Sequence, residues 1–243
     1  MAKTTTSTSV SLEALFKDLQ SRKFAPIYML CGEEPYYIDQ ISNWIENNVL
    51  TADEREFNQT VMYGLDVTAD DVMATAKRYP MMSEYQVVIV KEAQQLKDVD
   101  ALVPYLKSPQ TSTILVFCNK GKEPDKRKEF YKALQKEGVY YVADRVKQEK
   151  MPEWIGKYFS KKGYRISAGA AVLLAESVGN ELEKVENEAS KMFLNIPAGN
   201  EINEQDVERY VGISREFNVF EFQKALGTRN VFKANQIAMN IAG

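Results

Sequence analysis

The chain contains no histidine. That absence removes Ser–His–Asp triads, Cys–His pairs and histidine-liganded metal centres in one step. Cysteine is nearly missing as well: Cys31 and Cys118 are the only two. Each ends an apolar run, as reduced core residues of a cytosolic protein do, and a disulfide framework is not expected. No apolar run reaches the roughly 18 residues of a membrane span. Residues 1–9 are rich in threonine and serine and lack the apolar centre of a secretory signal. Neither sign of charge dominates. With 31 Lys+Arg against 34 Asp+Glu the formal net charge is -3, so nucleic acid could be held only by a local basic patch. No carboxylate cluster has a spacing that points to acid–base chemistry or to a metal. The expectation is a cytoplasmic chain with no cofactor, no metal and no membrane partner, in which carboxylate-only or lysine-based chemistry remains possible.

What is present is an alternation. Ser11 can cap a first helix that carries Leu12, Leu15, Phe16 and Leu19 on one face. Pro26-Ile27-Tyr28-Met29-Leu30-Cys31 is an apolar run ending at Gly32, the pattern of a buried strand entering a tight loop. A helix over residues 36–50 follows, with Ile38, Ile41, Ile45 and Val49 inward and Pro35 in its first turn, where a missing N–H costs nothing. Further strands are expected at 57–62, 87–90, 113–118 and 139–142. Helices are expected at 68–77, 99–107 and 126–137. Strands alternating with helices make βα units, hence a largely parallel sheet covered on both faces. From residue 147 the texture changes to helical patterns at 151–162, 167–178, 181–195 and 203–211, with no strand pattern, which reads as a separate helical bundle. Two more helices are expected at 219–226 and 230–241. The second has no stop signal, as if the chain were cut within an element.

The strand–glycine–helix unit is where a phosphate-binding loop would lie. That loop needs G-x-x-x-x-G-K-[ST]. Here Cys31-Gly32-Glu33-Glu34-Pro35-Tyr36-Tyr37 offers one glycine, no lysine and two carboxylates, and proline removes a donor at the helix start. The topology is that of a nucleotide hydrolase and the phosphate ligands are missing. Lys120 and Lys122 beside Gly121 follow a different strand and are expected to be solvated loop lysines. Lys120, Lys122, Lys126, Arg127 and Lys128 form a local basic group, but Glu123, Asp125 and Glu129 nearly cancel it. The alternatives kept open are therefore a hydrolase with a degenerate phosphate loop and a direct DNA-binding module of another AAA+ complex.

The stretch Arg78-Tyr79-Pro80-Met81-Met82-Ser83-Glu84-Tyr85-Gln86 lies between a helix and an apolar strand. A flexible apolar pair at such a junction either plugs the core or projects as an anchor, and methionine suits adaptable surfaces. Pro80 stops the preceding helix.

Four segments together resemble a known family. They are Pro26-Ile27-Tyr28-Met29-Leu30-Cys31-Gly32-Glu33-Glu34-Pro35-Tyr36-Tyr37-Ile38, Pro80-Met81-Met82-Ser83-Glu84, Gly179-Asn180-Glu181-Leu182 with Asn187-Glu188, and Arg215-Glu216-Phe217-Asn218-Val219-Phe220. In this order, and over residues 24–243, the chain resembles the delta-subunit family of bacterial DNA polymerase III, the clamp-opening arm of the replicative clamp loader. The resemblance implies an AAA+-type α/β domain without a functional phosphate loop, then a small all-α lid. On that basis residues 1–23 are a flexible N-terminus and first helix, 24–146 the clamp-binding α/β domain and 147–212 the lid. Residues 213–243 begin a helical collar that is largely lacking. It implies a non-catalytic part of a polymerase holoenzyme that is itself a nucleotidyltransferase, with no ATP hydrolysis of its own. The implied partners are the sliding clamp (beta), the other loader subunits (gamma/tau and delta prime) and, indirectly, DNA. The family's clamp-contacting pair of bulky apolar side chains falls at Met81 and Met82, with Tyr79 and Pro80 shaping the turn. Family members often carry leucine or phenylalanine there; methionine keeps the volume and gives up the aromatic contact. With a chain built for binding, at least one of the two methionines is expected to be exposed.

Overall fold

A computed structural model describes residues 10–121, 123–125, 127–211, 222, 226–231, 235 and 238. The expected helices at 219–226 and 230–241, the Arg215–Phe220 segment and the collar start at 213–243 lie largely or wholly outside these described residues. The chain forms two compact units, residues 1–145 and 146–243.

The first unit is built in chain order from α1 (Leu12–Gln20), β1 (Ile27–Gly32), α2 (Pro35–Asn48), α3 (Ala52–Asn58), β2 (Gln59–Tyr63) and α4 (Ala69–Ala76). There follow β3 (Gln86–Lys91), α5 (Val103–Lys107), β4 (Thr113–Lys120), α6 (Glu129–Glu137) and β5 (Val139–Ala143). The strands pair in the order β2-β3-β4-β1-β5, every pair parallel, as helical crossovers require. Alternate residues of each strand face opposite ways. Met29, Cys31, Val88, Val90, Leu115 and Phe117 pack under α4, α5 and α6. Tyr28, Leu30, Val87, Ile89, Ile114, Val116 and Cys118 pack under α1 and α2. Ile38, Ile41 and Ile45 of α2 are wholly buried, each stabilising the domain by about 1.5–3 kcal/mol.

Several expectations change. The first helix is not an appendage of the α/β unit, because Leu15 and Leu19 belong to the core of one sheet face. Phe57 is not in a strand. Thr51 and Glu54 form a capping box that starts a helix, and Phe57 lies near its end. The segment from Val99 opens as a 3-10 turn, Val99–Leu102, before α5, and α6 begins at Glu129 instead of Lys126. Both cysteines are buried thiols. Burial pushes the Cys118 thiol up to about 12, so it stays protonated and inert.

The second unit contains α7 (Met151–Lys161), β6 (Arg165–Ile166), α8 (Ala168–Val178), α9 (Leu182–Asn195), β7 (Glu201–Ile202) and α10 (Glu204–Tyr210). Ile155, Phe159, Leu174, Leu182, Val185, Met192 and Val207 are buried. It is helical but not free of strand: β6 and β7 pair in parallel. Segments of two residues are too short to leave a period-2 pattern in the sequence.

Candidate functional site

In a parallel sheet all strands point one way, so the loop after β1 and the turn before β3 lie at opposite ends of it. The two junctions are built differently.

After β1, the chain is folded inward. Gly32 has φ +130°, a left-handed conformation open to glycine, and a Cβ there would sit 2.2 Å from the Ala143 carbonyl oxygen of β5. The Glu34 N–H donates to that same carbonyl at 3.0 Å, and the Gly121 N–H donates to the Gly32 carbonyl at 2.8 Å. Glu34 is buried and caps α2, its carboxylate accepting from the Tyr36 N–H at 3.3 Å. A helix N-terminus is the natural seat for a phosphate; in this loop the chain's own carboxylate occupies it. The adjoining cleft of about 190 Å³ is lined by Gly32, Gly121, Val142 and three more acids, Glu33, Glu123 and Asp144.

Lys120 needs a correction. It belongs to a different strand, as expected, yet β4 pairs with β1 so that Lys120 stands directly opposite Gly32. Its ammonium is not turned to the loop; it pairs with Asp39 of α2 at 2.7 Å. Lys122 and Lys126 lie outside the described residues. Arg127 is paired with Asp125 at 2.9 Å, and that hydrogen-bonded pairing pulls the Asp125 carboxyl down to about 2.

Before β3 the chain is turned outward. Thr68 starts α4 with a capping box to Asp71. The carbonyls at the other end of the helix are taken by side chains: Gln86 donates to Thr75 at 2.7 Å, and Thr113 and Tyr105 donate to Ala76 at 2.9 and 3.3 Å. These bonds hold the helix end to β3, β4 and α5. The turn between α4 and β3 then carries Tyr79 at 79%, Met81 at 62% and Met82 at full exposure, with Pro80 half-buried. Met82 has φ 53°, uncommon for a residue with a Cβ and a sign that its surroundings impose the conformation.

The surroundings are α3. Asn58, 2% exposed, accepts from the Met81 N–H at 2.6 Å and donates to the Met81 carbonyl at 2.9 Å. One turn earlier, the Glu54 carboxylate is held below its ordinary range by the Thr51 N–H, the Thr51 hydroxyl and the Ser83 hydroxyl. Backbone or side chain is therefore tied on both sides of Met82 while its side chain is left in solvent. The four expected residues, Tyr79, Pro80, Met81 and Met82, do form one turn. Sequence reasoning missed its mount, Glu54 and Asn58, and missed Phe57, which is 69% exposed. The Thr51-x-x-Glu54 spacing is a capping-box signal and was the clue to α3.

The described architecture is an α/β domain with a five-stranded parallel sheet, whose loop after the first strand carries no phosphate-binding motif, followed in sequence by a small helical unit. The family model for the DNA polymerase III delta subunit matches residues 28–143. Among relatives, DNA polymerase III subunit delta of Bacillus subtilis is 27% identical over 233 residues, covering 92% of this chain and 67% of that protein. A probable DNA polymerase III subunit delta of Aquifex aeolicus is 22% identical over 223 residues, covering 87% of this chain and 62% of that one. Among solved structures, the Bacillus subtilis DNA clamp loader delta protein superposes with a TM-score of 0.77 at 26% identity, over 96% of this chain and 71% of that one. The chain thus spans about two thirds of the length of these relatives, and it is similar to the DNA polymerase III delta-subunit family across the α/β domain.

Proposed function

We propose that this chain acts as the delta subunit of a DNA polymerase III clamp loader, binding the sliding clamp and holding it open for loading onto primed DNA. The observation that carries the reading is the turn at Tyr79, Pro80, Met81 and Met82: large apolar side chains displayed to solvent on a backbone tied to α3. Interfaces draw most of their energy from a few such anchors seated in a partner's pocket. Methionine and aromatic side chains are enriched there. Residues 24–146, with α1 packed on them, serve as the clamp-binding domain, 147–212 as a lid and 213–243 as the start of a collar. The other partners are the remaining loader subunits, and DNA within the assembled loader. The setting is cytoplasmic; among the described residues no helix is long and apolar enough to cross a membrane.

In this reading the chain does not hydrolyse ATP. The Gly32 loop is tied to β5, capped by Glu34 and bordered by acids, so a triphosphate meets repulsion at a helix start already capped by a carboxylate. The test is gel filtration of the full chain with the sliding clamp of the same organism, with and without ATP. Co-elution that is indifferent to ATP is expected. Absence of a complex, or calorimetric ATP binding by the chain alone, would refute the reading.

A further inference from the structure

The docking turn was read from residues 79–82, but α3 makes it part of a larger surface. Phe57 sits three residues after Glu54 and one before Asn58, the two side chains that tie α3 to the turn. Positions i and i+3 of a helix lie side by side, so Phe57 is at the edge of the tied face, next to the turn. Asn58 points inward at 2% exposure, whereas Phe57 is 69% exposed. A lone exposed apolar side chain calls for no explanation. Phe57, Tyr79, Met81 and Met82 are not lone: they belong to two segments bridged by hydrogen bonds at 2.6 and 2.9 Å.

We infer that Phe57 is a further anchor of the clamp-docking surface, seated against the same apolar face of the sliding clamp as Met81 and Met82. Asn58 is the positioning residue that fixes the spacing between them. The inference rests on the proposed function and adds to it a second contact element from α3. A phenylalanine here also supplies the aromatic contact that a Met-Met pair lacks.

The experiment is equilibrium binding of the full chain to immobilised sliding clamp from the same organism, for wild type, Phe57→Ala, Phe57→Leu and the double variant Met81→Ala/Met82→Ala, each with its melting temperature. Phe57→Ala is expected to weaken binding roughly tenfold with an unchanged melting temperature, as for an interface anchor. Phe57→Leu, which keeps apolar volume, is expected to recover most of that loss. If the double methionine variant loses the clamp while Phe57→Ala stays within about twofold of wild type, the inference is wrong and the docking reading stands. If the double methionine variant also binds normally, the docking reading falls and this inference falls with it.

Discussion

The Gly32 loop and the Met82 turn are both sharp reversals with a residue at positive φ, at opposite ends of one sheet. At Gly32 the strain is taken by the residue suited to it, and every polar contact closes the loop upon its own domain. At Met82 the strain falls on a bulky apolar residue, and the contacts hold only the backbone and flanking groups. One end of the sheet is closed upon its own domain, while the other displays apolar side chains to solvent, and it is this second end that we propose as the working surface.

The comparison can be broken first at Gly32. Gly32→Ala places a methyl group 2.2 Å from the Ala143 carbonyl oxygen at a φ that disfavours a Cβ. It should cost about 2–4 kcal/mol of stability in urea unfolding. A cost near zero would mean the loop is not sealed against β5. Next in size is Asn58→Ala, which strips the Met81 N–H and carbonyl of their partner. A loss of about 1–3 kcal/mol is expected, with faster amide exchange at Met81 than in the wild type.

The smallest effect is in acid. The Glu54 and Asp71 carboxyls are lowered from ordinary values of 4.5 and 3.8, chiefly by the Thr51 N–H in one case and the Thr68 hydroxyl in the other. A lowered folded-state pKa stabilises above the unfolded value, and that contribution is lost as pH falls through the folded one. Stability should therefore decline as pH drops below about 4.5, and Glu54→Gln should flatten part of that decline.

Much of this was legible in the sequence because the signals were local. The apolar runs of β1, β3 and β4, the inward isoleucines of α2 and the cap at Ser11 all follow from short-range signals. The lack of phosphate ligands at Gly32 was equally plain. What escaped was set by distant pairing. Nothing near Lys120 says that β4 lies beside β1, and so the lysine was read as remote from Gly32, the residue it stands beside in the strand register. Nothing near Met81 says that Asn58, 23 residues earlier, holds it. Phe57 was lost to a strand because it was read together with Thr60, Val61 and Met62, which do lie in β2; the capping box at Thr51 was the stronger signal. The pair at Met81 and Met82 was ambiguous between plug and anchor, and the tie to α3 leaves both side chains exposed.

The central claim is that the Met82 turn, and not the Gly32 loop, is the working end of the protein. The most direct measurement is the affinity of Met81→Ala/Met82→Ala for the sliding clamp, alongside its unfolding free energy. Because both side chains are exposed, stability should stay within about 0.5 kcal/mol of wild type, while clamp affinity falls about a hundredfold or more. A double variant that folds normally and still binds the clamp as tightly as wild type would contradict the account.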